Sequence, residues 1–365
     1  MHTTACNKPS KRSIIESGIQ MTIRVATPLL PISRLSLTTT YLSEMLRQLF
    51  ARMVYLPPFE RHSMNNIPNE AWSQLEGLVG EERADACLNL SYSQFQSSNY
   101  SAAQILCGSA LDIYFNLSAQ CDVSKIQDAY KGLSNSLKHL EKFEEAAEIA
   151  LQAAEYLQSF DEEAHREALY SAADSYYSAN LCDPALSIYM KILDNPMNIF
   201  EDQTLARLFV DIAFCHQELG NYLESIEHLK NARKLFVRVL EPRHVAFVDE
   251  EIALNYFHLE NAAECMKYAR YCLDYAIMLS DKPRLIYSHN RMGLAKILNL
   301  QFDSAISHLN RCKELSAKEQ KSDFELIISC ERGLEIAYRS TGKIAEAEVI
   351  ARRITNVLAS NQEVH

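Results

Sequence analysis

The sequence predicts an all-α protein, a right-handed α-solenoid of about seven helix-turn-helix repeats. A small residue returns seven times along the chain, at spacings of 43, 39, 40, 40, 40 and 42 positions. A period of this length is typical of a pair of helices that stacks on the next pair. The 365 residues include only nine glycines and ten prolines, and 48% of them are hydrophobic, which suits a helix-rich chain.

Each repeat has two small positions, one in each of its predicted helices. The second-helix positions are Ala103, Ala146, Ala185, Ser225, Cys265, Ala305 and Ala347. The first-helix positions, twelve residues earlier, are Ser91, Ser134, Ala173, Ala213, Ala253, Gly293 and Glu335, of which all but the last are small. Two helices approach closely only where neither carries a bulky side chain, so these pairs predict the contact between the two helices of a repeat.

Turn residues lie between the paired helices. Gly220 and Gly342 stand where a helix must end and the chain reverse, a place that favours positive φ. Pro242 and Pro283 come between repeats, and we expect them to stop the second helix of the preceding repeat, because the residue before proline avoids the α region.

The first part of the chain, residues 1–63, shows no repeat and carries eight lysines and arginines against three acidic residues. Three interpretations are open: a disordered or partly helical leader, an organelle-targeting segment, or a start codon assigned too early, with Met64 as the first residue. We favour the first and the third.

The remaining chain divides into a cap, an array and a tail. We expect residues 64–82, which include the only tryptophan, Trp72, to form a helix that covers the exposed end of the first repeat. The solenoid is predicted over residues 83–358. Residues 359–365 are predicted to form a frayed tail.

Charge and hydropathy exclude several classes of protein. The net charge is −11, and residues 64–365 alone carry −16, so the array repels nucleic acid and we expect no nucleic-acid partner. No apolar run approaches the roughly 20 residues of a membrane span. We therefore expect no transmembrane helix.

The ten cysteines do not indicate a metal or disulfide framework. The chain has no C-x-x-C pair and no Cys/His set with zinc spacing. Six cysteines fall on predicted buried positions, where they act as small apolar residues: Cys87, Cys107, Cys182, Cys265, Cys272 and Cys312. We expect free thiols in a reducing cytoplasm, with redox chemistry as the alternative, and neither metal nor cofactor.

Catalytic motifs do not appear either. The chain contains no G-x-x-x-x-G-K, H-E-x-x-H or G-x-S-x-G sequence, and its eleven histidines are scattered. We therefore expect a protein that is not an enzyme.

The repeats resemble those of the tetratricopeptide (TPR) family. The clearest unit has a small residue, a turn glycine, an aromatic, a second small residue, a large apolar residue and an alanine in the family's order: Ala213, Gly220, Tyr222, Ser225, Leu229 and Ala232. The family's common period is 34 residues, whereas this chain uses about 40. The longer period resembles the variant repeats of kinesin light chains, of G-protein-modulator scaffolds and of bacterial peptide-sensing regulators. HEAT and armadillo arrays share the length without the paired small positions and rank second.

The resemblance implies a binding site. In TPR proteins the first helices line a concave groove, and the equivalent positions of this chain would place twelve residues there: Lys131, Asn135, Lys138, Tyr170, Asp174, Tyr177, Phe214, Gln217, Glu250, Phe257, Asn290 and Arg332. Such a mixed aromatic and polar lining suits a peptide or a helix of a protein partner.

Two functions follow as expectations. The first is a non-catalytic scaffold or adaptor that holds a protein segment in this groove; the alternative is a peptide-responsive regulator that acts on a partner. Lys131 and Asn135 resemble half of the carboxylate clamp of chaperone-binding TPRs, but Tyr170 and Asp174 stand where the other half would need Asn or Lys.

Overall fold

A computed structural model of the chain describes residue 68 and residues 73–117, 122–195, 200–318 and 324–362. Within these ranges it contains fourteen α-helices and no β-strand. The predicted leader, residues 1–63, and Trp72 of the predicted cap lie outside the described residues. A turn at residues 74–77 precedes the first helix, so the cap stays a prediction.

The helices form seven consecutive pairs. The first three repeats are α1 (Gly80–Gln96) with α2 (Tyr100–Asn116), α3 (Val123–His139) with α4 (Phe143–Leu157), and α5 (Glu162–Ser178) with α6 (Cys182–Asp194). The fourth and fifth are α7 (Asp202–Glu218) with α8 (Tyr222–Arg238), and α9 (Pro242–His258) with α10 (Ala262–Met278). The last two are α11 (Lys282–Leu298) with α12 (Phe302–Ser316), and α13 (Phe324–Ser340) with α14 (Ile344–Gln362).

Contacts run between successive helices along the whole stack. Every helix packs against the one before it and the one after it. First helices also contact the first helix of the next repeat, as α1 does with α3, α3 with α5, α9 with α11 and α11 with α13. This arrangement confirms the predicted all-α solenoid of helix-turn-helix repeats.

The small positions lie where the two helices of a repeat meet. All seven second-helix positions are buried, with at most 1% of their surface exposed. In the second repeat the hydroxyl of Ser134 donates to the carbonyl oxygen of Ala146 at 3.1 Å, so the predicted pair is in direct contact. Glu335, the one large first-helix residue, pairs instead with Arg339 at 2.9 Å on the surface of α13.

Each turn inside a repeat ends the first helix in the same way. One residue in the left-handed region follows the helix, at Ser98, Glu141, Asn180, Gly220, Glu260, Leu300 and Gly342, with φ between 54° and 77°. In the first repeat the amide of Asn99 then donates to the carbonyl oxygen of Gln94 at 2.9 Å, and that of Ser98 to Phe95 at 2.9 Å. This Schellman pattern satisfies carbonyl groups that the helix end would leave unpaired.

The prediction that proline stops the second helix also covered Pro196, and there α6 ends at Asp194 and Asn195 is extended. At Pro242 and Pro283 the prediction is wrong. α8 ends at Arg238 and α10 at Met278, before Pro242 and Pro283 are reached. Each proline instead lies in the first turn of the following helix, where its missing N–H costs no hydrogen bond. At the other end of the array, α14 continues to Gln362, within the predicted frayed tail.

Candidate ligand groove

Side chains of five first helices, α5, α7, α9, α11 and α13, together with Leu358 of α14, surround a depression of about 890 Å³. This depression, the C-terminal groove, extends over repeats three to seven. Six aromatic side chains line it: Tyr177, Phe214, Phe247, Phe257, Tyr287 and Phe324. Its volume lies in the range of protein ligand sites, roughly 300–1,000 Å³.

A buried charge cluster forms part of the groove lining. The carboxylate of Glu250, only 2% exposed, accepts hydrogen bonds from the guanidinium groups of Arg284 and Arg291, the latter at 3.3 Å. The Arg284 guanidinium also lies 5.1 Å from the ring centre of Phe247 and 5.9 Å from that of Tyr287. Because both arginines share one carboxylate, the three charges sum to +1.

Glu251, the next residue, is a second buried carboxyl group in the same lining. It accepts a hydrogen bond from the amide of Gln217 on α7. Burial, reinforced by the negative charge of Glu250, raises the pKa of Glu251 to about 7. The charge of the groove therefore changes by one unit near neutral pH.

Six of the twelve predicted site residues line this groove. They come from four of its helices: Tyr177, Phe214, Gln217, Glu250, Phe257 and Arg332. Arg332 is exposed, whereas Tyr177, Phe214, Gln217 and Phe257 are half-buried.

Lys131 and Asn135 lie in a separate depression. It holds about 430 Å³ between the first two repeats, and Tyr92 and Phe95 of α1 form its apolar part. The ammonium group of Lys131 is already paired with Glu167 of the third repeat at 2.7 Å.

Three more predicted residues join neighbouring repeats to each other. The ammonium group of Lys138 pairs with the carboxylate of Asp174 at 2.8 Å, which links α3 to α5. The hydroxyl of Tyr170 donates to the carboxylate of Asp211, which links α5 to α7. These side chains have internal partners that a ligand would have to displace.

Asn290 is fully buried, so the inference from repeat register that places it in the groove needs correction. Its amide nitrogen donates to the sulfur of Cys330 at 3.3 Å, and its amide oxygen accepts from the hydroxyl of Ser329. Asn290 therefore packs between α11 and α13.

Sequence reasoning missed Phe247, Glu251, Arg284 and Arg291. The repeat period relates three of them to other groove residues. Phe247 is 40 positions before Tyr287, and Glu251 is 40 positions before Arg291, so each pair holds equivalent positions in successive repeats.

Three observations concern metal sites, cysteines and membrane-spanning helices. The described residues contain no group of three or more His, Cys, Asp or Glu side chains that could hold a metal ion. Eight cysteines lie in the described ranges, and all are buried free thiols. Across the same ranges, no helix combines the length and the apolar character that crossing a membrane requires.

Comparison with solved structures shows the same fold in other proteins. BtubC (BKLC) from P. vanneervenii is 18% identical, with a TM-score of 0.50 over 62% of this chain and 93% of that one. The apo form of RapI is 12% identical, with a TM-score of 0.55 over 75% of this chain and 76% of that one.

A third similar structure is larger. A signal transduction ATPase with numerous domains and a tetratricopeptide repeat sensor, from Pyrococcus horikoshii, is 15% identical, with a TM-score of 0.56. The match covers 86% of this chain but half of that one. No protein-family model and no curated protein matches the chain. The chain thus has a TPR-like repeat fold, which the likeness to these structures defines without defining an activity.

Proposed function

We propose that this chain is a non-catalytic scaffold that binds a peptide or a segment of a protein partner in the C-terminal groove. The observation that carries the proposal is the lining itself, six aromatic side chains around about 890 Å³ on one side of a helical array. Aromatic side chains supply large contact areas at low entropic cost, and Arg332 adds an exposed charge at the same surface.

Ion pairs between neighbouring helices support a groove that is formed before a ligand binds. Glu250 is held by two arginines of the next repeat, and Asp249 forms two hydrogen bonds with Arg233, at 2.6 and 3.1 Å. Because these bonds fix α9 against α8 and α11, a ligand meets a surface that costs little to order.

We further propose that the chain acts without catalysis or cofactor, does not bind nucleic acid and works in the cytoplasm. Glu250, Arg284 and Arg291 in the groove are engaged with one another, and the acidic balance of residues 64–365 opposes a polyanion. Eight buried free thiols suit a reducing compartment.

Selection of a peptide ligand from a displayed library on the full chain tests this function. Phe257, Arg332 and Ile336 all line the groove. The groove variant Phe257→Ala, Arg332→Ala, Ile336→Ala removes one aromatic, one cationic and one aliphatic side chain from it. The matched control, Leu223→Ala, Tyr271→Ala, Arg352→Ala, removes the same three kinds of side chain from second helices. We expect a selected peptide to lose at least about tenfold in affinity for the groove variant, equivalent to 1.4 kcal/mol. Equal affinity for both variants would reject the groove.

A second candidate function is a peptide-responsive regulator. The bond between Gln217 and Glu251 favours it, because this contact joins repeats four and five inside the groove, where a ligand would act on repeat spacing. Small-angle scattering with the selected peptide separates the two functions. A regulator is expected to contract on binding, and a scaffold to keep its radius of gyration.

A further inference from the structure

Two cysteine side chains meet at the junction between repeats six and seven. Cys312 belongs to α12 and Cys330 to α13. Both belong to one core cluster and line the same pocket, and each thiol alters the pKa of the other. Both are free and buried.

The surroundings of Cys330 favour its thiolate. Its sulfur accepts a hydrogen bond from the amide of Asn290 at 3.3 Å, and the Cys312 thiol and the positive charge of Lys313 are nearby. The Cys312 thiol, the Asn290 amide and Lys313 lower the pKa of Cys330 although burial and Glu331 oppose them.

Cys265 shows what burial does without a donor to the sulfur. Burial raises the pKa of Cys265 to about 12. The direction at Cys330 is the opposite, because the Cys312 thiol and the Asn290 amide outweigh burial there.

A small pocket gives a reagent access to this pair. It holds about 230 Å³, and both cysteines are part of its wall, with Lys313 and Ser316 from α12 and Leu326 and Glu331 from α13. A water molecule occupies about 30 Å³ in the liquid, so this space admits a molecule as small as a peroxide.

We propose that Cys330 is an oxidation site for hydrogen peroxide and that Cys312 is its resolving thiol. The Cys330 thiolate attacks one peroxide oxygen; an S–O bond forms, the O–O bond breaks, and hydroxide leaves and takes up the proton released by the thiol. The Cys312 thiol then attacks the sulfenic sulfur, so that the S–O bond breaks and an S–S bond forms. Hydroxide leaves with the Cys312 proton as water. In sum, two thiols and one hydrogen peroxide give one disulfide and two water molecules.

The disulfide would tie α12 to α13, two helices of successive repeats. α13 also carries Ser329 and Arg332 at the C-terminal groove, so oxidation would fix the position of one groove wall. The oxidation site is independent of the proposed function, because its test needs no groove ligand.

Peroxide titration of the reduced full chain tests the assignment. Free thiols are alkylated with N-ethylmaleimide at successive times, and disulfides are located by peptide mapping without reductant. We expect the linked Cys312–Cys330 peptides to form at least about tenfold faster than oxidation at Cys265, a buried thiol without such donors. Comparison within one molecule matters because unfolding would expose Cys265 and Cys330 together.

Three variants identify the two roles. In Cys312→Ser, the sulfenic acid should persist on Cys330 and be trapped by dimedone. In Cys330→Ser, no dimedone adduct should appear on Cys312. The matched control Cys265→Ser should leave the rate of the Cys312–Cys330 link unchanged. If Cys330→Ser fails to fold, the dimedone adduct in Cys312→Ser still shows which cysteine is oxidised first.

Either of two results would overturn the proposal: oxidation of Cys330 no faster than that of Cys265, or a dimedone adduct on Cys312 in place of Cys330.

Discussion

Leu309 of α12 packs directly on the backbone of Gly293 in α11. A Cβ atom added to Gly293 would lie 2.5 Å from Leu309 Cγ, closer than side-chain carbons normally approach. The same leucine is fully buried and also reaches Gly333 of the next repeat, where an added Cβ would lie 2.9 Å from Leu309 Cδ1. One large side chain thus fills the space that two glycines leave.

We expect Gly293→Ala to destabilise the protein by on the order of 1–3 kcal/mol, because overpacking outweighs the better helix propensity of alanine. Urea unfolding monitored by circular dichroism measures this. In the double variant Gly293→Ala, Leu309→Ala the added methyl group has room. The loss in free energy of unfolding should therefore be smaller than the sum of the losses in the two single variants. A Gly293→Ala variant as stable as the parent would mean that α11 and α12 are further apart than described.

The turn after α11 offers a stabilising change. Leu300 has φ of 57° and is 74% exposed, so it adopts a left-handed conformation that its side chain does not favour. We expect Leu300→Gly to raise the free energy of unfolding by roughly 0.5–1 kcal/mol. Leu223→Gly, a change at a 65% exposed leucine in the first turn of α8, should lower it, because glycine is a poor helix former. Destabilisation by both changes would contradict the turn geometry.

Glu251 predicts a pH dependence of stability. Its folded pKa of about 7 lies above the value of about 4.3 for an unfolded chain, so the folded protein holds a proton that the unfolded chain has released. This contribution is fully present below about pH 4 and is lost as pH rises through 7. The groups that face Glu251 are Glu250, Arg291, Gln217, Arg284 and Tyr177.

The test of this dependence compares Glu251→Gln with the parent protein. The variant should gain on the order of 1–3 kcal/mol relative to the parent between pH 5 and pH 8, measured as free energy of unfolding. The variant Glu227→Gln, on the surface of α8, is the control and should follow the parent. A constant difference between Glu251→Gln and the parent over this range would show that Glu251 does not titrate there.

A histidine pair predicts the opposite dependence. The Nδ1 atoms of His289 and His308 lie 3.0 Å apart, and burial, with the charges of His308 and Arg311, lowers the pKa of His289 to about 4. A histidine in an unfolded chain has a pKa near 6.5, so below that pH the unfolded chain takes up protons that the folded protein does not. The contribution of the neutral pair to the free energy of unfolding is therefore full above pH 6.5 and is lost as pH falls toward 4. Lys296 faces His308 and acts in the same direction.

Replacing one member of this pair, in His289→Gln, should flatten the acid side of the stability profile. We expect the parent to lose about 1–2 kcal/mol more than the variant between pH 7 and pH 4.5, since solvent screens a half-buried pair. Thermal melts across this range give the comparison, and parallel profiles would exclude the histidine pair as the cause.

The repeat period was sufficient to predict the helices but only part of the site. Glu250, Asn290 and Arg332 hold equivalent positions, three residues before the position that is small in six of the seven first helices. Glu250 and Asn290 are buried, whereas Arg332 is exposed. Lys131 holds the same position on α3 and is exposed, although α5 lies beside α3. Register alone therefore predicts the position of a residue in its repeat, and its exposure depends on the particular side chains packed around it.

The charge cluster could not be predicted for a related reason. Glu250 and Glu251 are consecutive, yet one binds two arginines and the other a glutamine of the preceding repeat. Which partner each carboxyl group reaches depends on the spacing of three helices, and no pattern in one helix contains that spacing.

Hydrogen–deuterium exchange of the full chain, with and without the selected peptide, tests the groove most directly. We expect slower amide exchange in α7, α9, α11 and α13 when the peptide is bound, and unchanged exchange in α8 and α10. The groove variant Phe257→Ala, Arg332→Ala, Ile336→Ala should lose this protection at the same peptide concentration. Protection confined to α8 and α10, or to residues 1–63, would show that the peptide binds outside the groove.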